Sequence, residues 1–214
     1  MLEKMFVIQA SPRSGSHMLA SALSQHPEIE YKNELLNIYQ QPVFANASAY
    51  DVLQHAESEC KKPAWCFILH NDIGIIHSLA HADVWPLLSQ VQPPCIRLRR
   101  KNLLAQAMSI ARASKTEEWT DGEYKKGCVE LTSDEVFNAY CRIQYCEDKV
   151  NAYKFPCLEV YYEDLLERWP QTIHKVLEHV HRYRTYLQPS TKKADTSIVK
   201  AIDDTVLEKY GLMA

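Results

Sequence analysis

Apolar residues along this chain fall into two patterns. Short, nearly continuous runs stand at Met5 to Ala10, Ile29 to Lys32, Trp65 to His70, Cys95 to Leu98 and Cys157 to Tyr161. Runs of that length, bounded by polar and turn-forming residues, read as buried strands. Elsewhere apolar residues recur at three- and four-residue spacing: Met18, Leu19, Ala22 and Leu23; then Leu103, Leu104, Ala107, Met108 and Ala111; then Ile173, Val176, Leu177 and Val180. Each set occupies one face of a helix, and each face can cover a sheet. Strands separated by segments long enough for crossover helices predict an α/β, three-layer, P-loop-like fold, with a central, mostly parallel sheet of about five strands flanked by helices.

Polar residues mark where these elements start and stop. Thr132-Ser133-Asp134-Glu135 reads as a capping box opening a long helix whose buried stripe includes Val136, Phe137, Tyr140 and Ile143. Asn102 is placed to cap the helix that begins beside it, and Asp164 and Pro170 stand at turn or helix-start positions. Beyond Gln188-Pro189-Ser190 the tail Thr191-Lys192-Lys193 is polar and reads as a loop. Repeats, low-complexity tracts and linkers are absent from the sequence.

Composition narrows the class. With 214 residues, 46% of them hydrophobic, the chain has apolar surface for one substantial core, and a single domain over residues 1–214 is expected. The formal balance of 24 Lys+Arg against 27 Asp+Glu, a net charge of -3, argues against nucleic-acid binding through bulk charge. Any anion site must therefore be local. The run Met5-Phe6-Val7-Ile8 is too short for a membrane span or a signal peptide. The 7 cysteines are odd in number and contain no C-x-x-C pair, which suits a reducing, cytoplasmic setting.

Two segments carry anion-binding chemistry. Ser11-Pro12-Arg13-Ser14-Gly15-Ser16-His17 lies between a predicted strand and a predicted helix, where backbone N–H groups and the positive helix end can surround a phosphate or sulfate. Gly15 permits a tight turn, Ser14 and Ser16 add hydroxyl donors, and Arg13 adds a fixed charge with several donors. A Walker A loop would need a second Gly and a Lys followed by Ser or Thr, which this segment lacks. The second segment is Arg97-Leu98-Arg99-Arg100-Lys101-Asn102, a strand end bearing four cations, with Ser109 two turns into the next helix. A magnesium-dependent nucleotidase would be expected to place an Asp after such a strand. The cations suit a second anionic group bound without a metal. Taken alone, the first segment also fits an ordinary strand-to-helix turn and the second a solvated basic turn.

Together the two segments resemble the PAPS-dependent sulfotransferases (PAPS being 3′-phosphoadenosine 5′-phosphosulfate), and within them the bacterial trehalose 2-sulfotransferase type. Ala10 to Ser16 is similar to the family's 5′-phosphosulfate loop. Leu98 to Ala113, continued by Lys115-Thr116-Glu117-Glu118-Trp119, is similar to its 3′-phosphate segment, and Tyr162-Glu163-Asp164-Leu165 to a hallmark after the fifth strand. The resemblance implies a sulfotransferase that moves the sulfuryl group of PAPS to a hydroxyl of a small-molecule acceptor, carbohydrate or other, and releases PAP. It implies Glu34 as general base and Arg13 as the catalytic cation. Donor binding would fall to Arg13, Ser14, Gly15, Ser16, His17, Arg99, Arg100, Lys101 and Ser109, with Lys192 and Lys193 closing over the nucleotide. No metal and no nucleic acid enter this scheme, and a homodimer is compatible with it.

The family usually has Arg-Asp where this chain has Lys101-Asn102, and Lys keeps the charge but loses the bidentate fork. His17 follows the first loop and His70 ends the third predicted strand, so either could reach a site at the strand carboxyl ends, although each also reads as a satisfied polar or packing histidine. His77 and His81 could share a metal but lack a third ligand at recognisable spacing. The acceptor would be chosen by variable segments such as Asn37 to Asp51 and Ala113 to Leu131, with Trp119 either lining its pocket or packing. Two rivals stay open: a P-loop kinase of small molecules or nucleotides, and a PAP- or PAPS-binding protein without turnover.

Overall fold

The computed structural model describes residues 2–37, 41–44, 46–73, 81–119, 129–154 and 156–180. Five strands, β1 (Met5–Ala10), β2 (Ile29–Tyr31), β3 (Ala64–His70), β4 (Cys95–Arg99) and β5 (Cys157–Tyr161), form one sheet in the order β2-β3-β1-β4-β5. Every neighbouring pair is parallel. This is the sheet expected from the apolar runs. The second strand ends one residue short of Lys32, although the Lys32 N–H still donates to the Cys66 carbonyl at 2.8 Å.

The central position of β1 explains its nearly continuous apolar run, broken only by Gln9, because every residue in it is buried. Its alternating side chains feed two cores. Phe6, Ile8 and Ala10 pack with Leu19 and Leu23 of α1 (Ser16–Leu23) and with Ile173, Val176 and Leu177 of α7 (Trp169–His179). Met5 and Val7 join Val52 and Leu53 of α2 (Ala49–Ser58) and Val84, Trp85 and Leu88 of α3 (Val84–Val91) on the other face. Helices on both faces of a parallel sheet give the three layers.

The chain divides into two compact units, residues 1–99 with 146–190, and residues 100–145 with 191–214. The sheet belongs to the first. The second holds α4 (Leu103–Thr116) and most of α5 (Ser133–Asn151). The apolar stripe of α4 has a partner within its own unit. Ala107, Ile110 and Ala111 cluster with Val136, Ala139 and Ile143 of α5. Both helices start as the sequence predicts: the Ala105 N–H donates to Asn102 Oδ1 at 2.8 Å, and Thr132 and Glu135 form a reciprocal capping box, with bonds of 2.7 and 3.2 Å. Ile173, Val176, Leu177 and Val180 are buried as expected. The described cysteines are all free thiols.

Candidate active site

The parallel register puts Ala10, His70 and Leu98 side by side at the carboxyl ends of β1, β3 and β4. Open α/β sheets bind ligands at this edge. Beneath it runs a chain of side-chain hydrogen bonds. Arg97 Nε donates to Gln9 Oε1 at 3.1 Å, Gln9 Nε2 to Asn71 Oδ1 at 3.0 Å, and Asn71 Nδ2 to Ser11 Oγ at 3.0 Å. Ser11 then reaches Glu147 Oε1 at 3.5 Å. Burial pushes the Glu147 carboxyl up, and Arg99, Ser11 and Arg97 only partly offset it, so the group stays above the ordinary carboxylate range. The network fixes the first residue of the loop that leaves β1.

That loop turns sharply. Arg13 has φ 62 and Gly15 φ 91, so Ser14 sits between two left-handed residues, the kind of backbone in which successive N–H groups converge on a concavity. Gly15 is the N-cap of α1 and no side chain caps that helix end. Ser14 is fully buried, and among the described residues its Oγ has no hydrogen-bond partner. A buried hydroxyl without a partner costs about 1–3 kcal/mol, an arrangement that an anion seated in the loop would relieve. The requirement for glycine is also steric: a Cβ at position 15 would lie 2.5 Å from Tyr162 Cδ2. Tyr162 opens α6 (Tyr162–Glu167) directly after β5, so the Tyr162-Glu163-Asp164-Leu165 segment supports the loop physically.

His17 stands in the first turn of α1 and His70 ends β3, and both aim Nε2 at the same oxygen of Glu34, at 2.8 and 2.9 Å. Asn37 Nδ2 donates to the other carboxylate oxygen at 2.7 Å. Burial pushes Glu34 up, but the hydrogen bonds from His17, His70 and Asn37 and the charge on His70 outweigh it and hold the carboxyl well below the usual range. For His70, burial pulls down, yet the bond to Glu34 and the charges of Glu34 and Asp72 leave it raised. The structure thus assembles His17, Glu34 and His70 into one group. Of the two readings the sequence leaves for His70, the structure takes the one at the strand-end site, in contact with Glu34.

The second cationic segment divides. Within the sheet unit, Arg97 and Arg99 share the Asn151 side-chain oxygen at 3.1 and 3.2 Å, and Arg99 also pairs with Glu159 at 3.5 Å. Arg100 follows β4 partly buried, Lys101 is exposed, and Ser109 is partly buried on α4. In the second unit, buried Arg112 pairs with Glu118 at 3.3 Å, and Trp119 is exposed. His77, Lys192 and Lys193 lie outside the described residues, as do parts of both segments assigned to the acceptor. No described helix is long and apolar enough to cross a membrane.

No protein-family model matches the sequence, and no curated protein does either. Solved structures do match. A sulfotransferase from Alicyclobacillus acidocaldarius superposes with a TM-score of 0.58 at 11% identity, over 90% of this chain and 87% of that one. This chain has the sulfotransferase fold. Mouse sulfotransferase SULT7A1, solved with PAP, superposes with a TM-score of 0.53 at 13% identity, over 86% of this chain and 61% of that one. At such identities the likeness is one of architecture. The trehalose 2-sulfotransferase subtype is not distinguished by it.

Proposed function

We propose that the chain is a single PAPS-dependent sulfotransferase domain over residues 1–214, acting on the hydroxyl of a small-molecule acceptor. The observation that carries this reading is the buried, unpartnered Ser14 hydroxyl in a left-handed loop at the end of β1, one residue pair away from a histidine that bonds a buried carboxylate. Anion cradle and proton acceptor are adjacent, as group transfer to a hydroxyl requires.

In this scheme Arg13, Ser14, Gly15 and Ser16, with His17 beyond them, hold the 5′-phosphosulfate. Arg99, Arg100, Lys101 and Ser109 take the 3′-phosphate, and Lys192 and Lys193 cover the nucleotide. The acceptor oxygen attacks sulfur in line, and the bond from sulfur to the phosphate oxygen breaks. PAP leaves with that electron pair, stabilised by Arg13 and the loop N–H groups. Glu34 takes the hydroxyl proton. A carboxylate held so low is a weak base. A loose transition state of the phosphoryl-transfer kind asks little more, because the proton becomes acidic only once the new bond is well formed. The acceptor in this reading is a carbohydrate, by analogy with the trehalose 2-sulfotransferase type, or another small metabolite, and the enzyme is cytoplasmic.

Calorimetric titration with PAP, with and without magnesium, tests the donor site. Metal-independent binding lost in Arg13→Ala is expected. Binding of ATP with magnesium and none of PAP would favour a kinase. Binding of PAP with no sulfuryl transfer to any sugar or phenol would leave a non-catalytic binding protein.

A further inference from the structure

His17, Glu34 and His70 offer more than a proton acceptor. Their three ligating atoms lie within 4.8 Å of one another, and two imidazoles with one carboxylate are a donor set suited to zinc and its neighbours. The geometry points to a metal site, and we propose that His17 Nε2, His70 Nε2 and Glu34 bind a divalent transition-metal ion of the zinc class. Occupation would take the carboxylate away from the acceptor proton and inhibit transfer. The binding half stands on the three side chains alone, whereas the inhibitory half rests on the sulfuryl-transfer reading.

The ligands are held by backbone that binding need not reorganise. Glu34 follows Asn33, whose carbonyl accepts the Ile68 N–H at 2.9 Å, and Lys32 is tied to Cys66 at 2.8 Å, so the segment is clamped along β3. Asn33 itself is left-handed, φ 59, which turns the chain at that point. Asn37 fixes the carboxylate from its far side. His70 is the last residue of β3 and His17 belongs to the first turn of α1. Tetrahedral bonds of about 2.0–2.1 Å separate ligand atoms by roughly 3.3 Å. The two nitrogens now stand 2.8 and 2.9 Å from the Glu34 oxygen, so each has to draw back from it by about half an ångström, and the two nitrogens, within 4.8 Å of one another, have to settle at the same spacing of about 3.3 Å. Each imidazole ligates once its Nε2 proton has moved to Nδ1 or to water.

Access is one-sided. The Glu34 and His70 side chains are 8% and 12% exposed and that of His17 is 39%, so the ion would enter past His17 and keep a position there for water. Three protein ligands and one open position are the arrangement of reactive rather than structural zinc. The fourth position is also where an acceptor hydroxyl must arrive to reach Glu34, which is why ion and acceptor compete.

The test uses the full chain stripped with a chelator. Titration with cobalt(II) should produce the visible bands of a four- or five-coordinate nitrogen and oxygen site at one ion per chain, and zinc should displace them. Glu34→Gln and His70→Ala should each weaken zinc binding by about tenfold or more. His17→Gln, at the exposed ligand where folding is least at risk, should do the same with circular dichroism unchanged. Cobalt bands of thiolate character, or zinc affinity unaffected by His17→Gln, would overturn the site. Zinc bound by these residues with transfer unimpaired would overturn the competition. PAP calorimetry on the same preparation separates the two readings: cobalt bands that depend on His17, with no PAP binding, would uphold the metal site and sink sulfuryl transfer.

Discussion

At the scale of single residues, Gly15 is the most constrained position in the loop, for two independent reasons: its φ of 91 and the Tyr162 ring 2.5 Å from where a Cβ would be. Gly15→Ala should therefore cost about 1–3 kcal/mol of stability in urea unfolding and weaken PAP binding as the loop shifts. Adding Tyr162→Ala removes the clash but not the backbone strain, so the double variant should recover only part of the loss. Full recovery would show that φ contributes nothing. The sequence showed that glycine was needed for the turn; it could not show the tyrosine, because contact between positions 15 and 162 is created by β5 lying beyond β4. The same holds for His17, Glu34 and His70, whose separations of 17 and 36 residues in sequence close only through strand order.

At the scale of elements, the strands were legible because a parallel sheet buried on both faces needs nearly continuous apolar runs, and β1 and β3 are such runs save for Gln9 and the terminal His70. Caps were legible for the same local reason. Thr132→Ala removes the hydroxyl that accepts the Glu135 N–H at 3.2 Å, and a loss of about 1 kcal/mol is expected, with Thr132→Ser nearly neutral. What periodicity cannot say is which surface a helix face meets: that Ala107, Ile110 and Ala111 of α4 cluster with α5 is visible only in the structure. Glu147 on α5 makes a sharper prediction. Burial, the largest influence, leaves its carboxyl raised. A carboxyl raised in the folded state binds its proton more tightly there than when unfolded. It therefore adds stability at pH below its unfolded value and loses it as pH rises through the folded one. Glu147→Gln should consequently be the more stable protein at pH 7, with the advantage shrinking as the pH is lowered to about 4. A variant less stable at pH 7 would mean that Arg97 and Arg99 need the carboxylate more than burial opposes it.

At the scale of the whole molecule, the net charge of -3 repels a polyanion such as PAP, so binding must come from cations placed locally rather than from a general field. One of them, Arg99, is already held by Asn151 and Glu159, and its neighbour Arg97 by Gln9 and Asn151, which fixes the positive strand end before any ligand arrives and lowers the ordering cost of binding. A ligand that binds only the folded chain stabilises it by about 2.7 kcal/mol at one hundred times its Kd. For a chain of this size each kcal/mol is worth roughly 2–4 °C. PAP without magnesium should therefore raise Tm by about 5–11 °C at that concentration, in differential scanning fluorimetry or calorimetry. The shift should shrink as salt screens the local cations, and Arg13→Ala should lose most of it. ATP alone should give less, since it offers no 3′-phosphate to the cations following β4. A Tm that rises only with ATP and magnesium together would reverse the assignment of both anion segments at once, because it would require a metal where the strand end carries Arg99, Arg100 and Lys101.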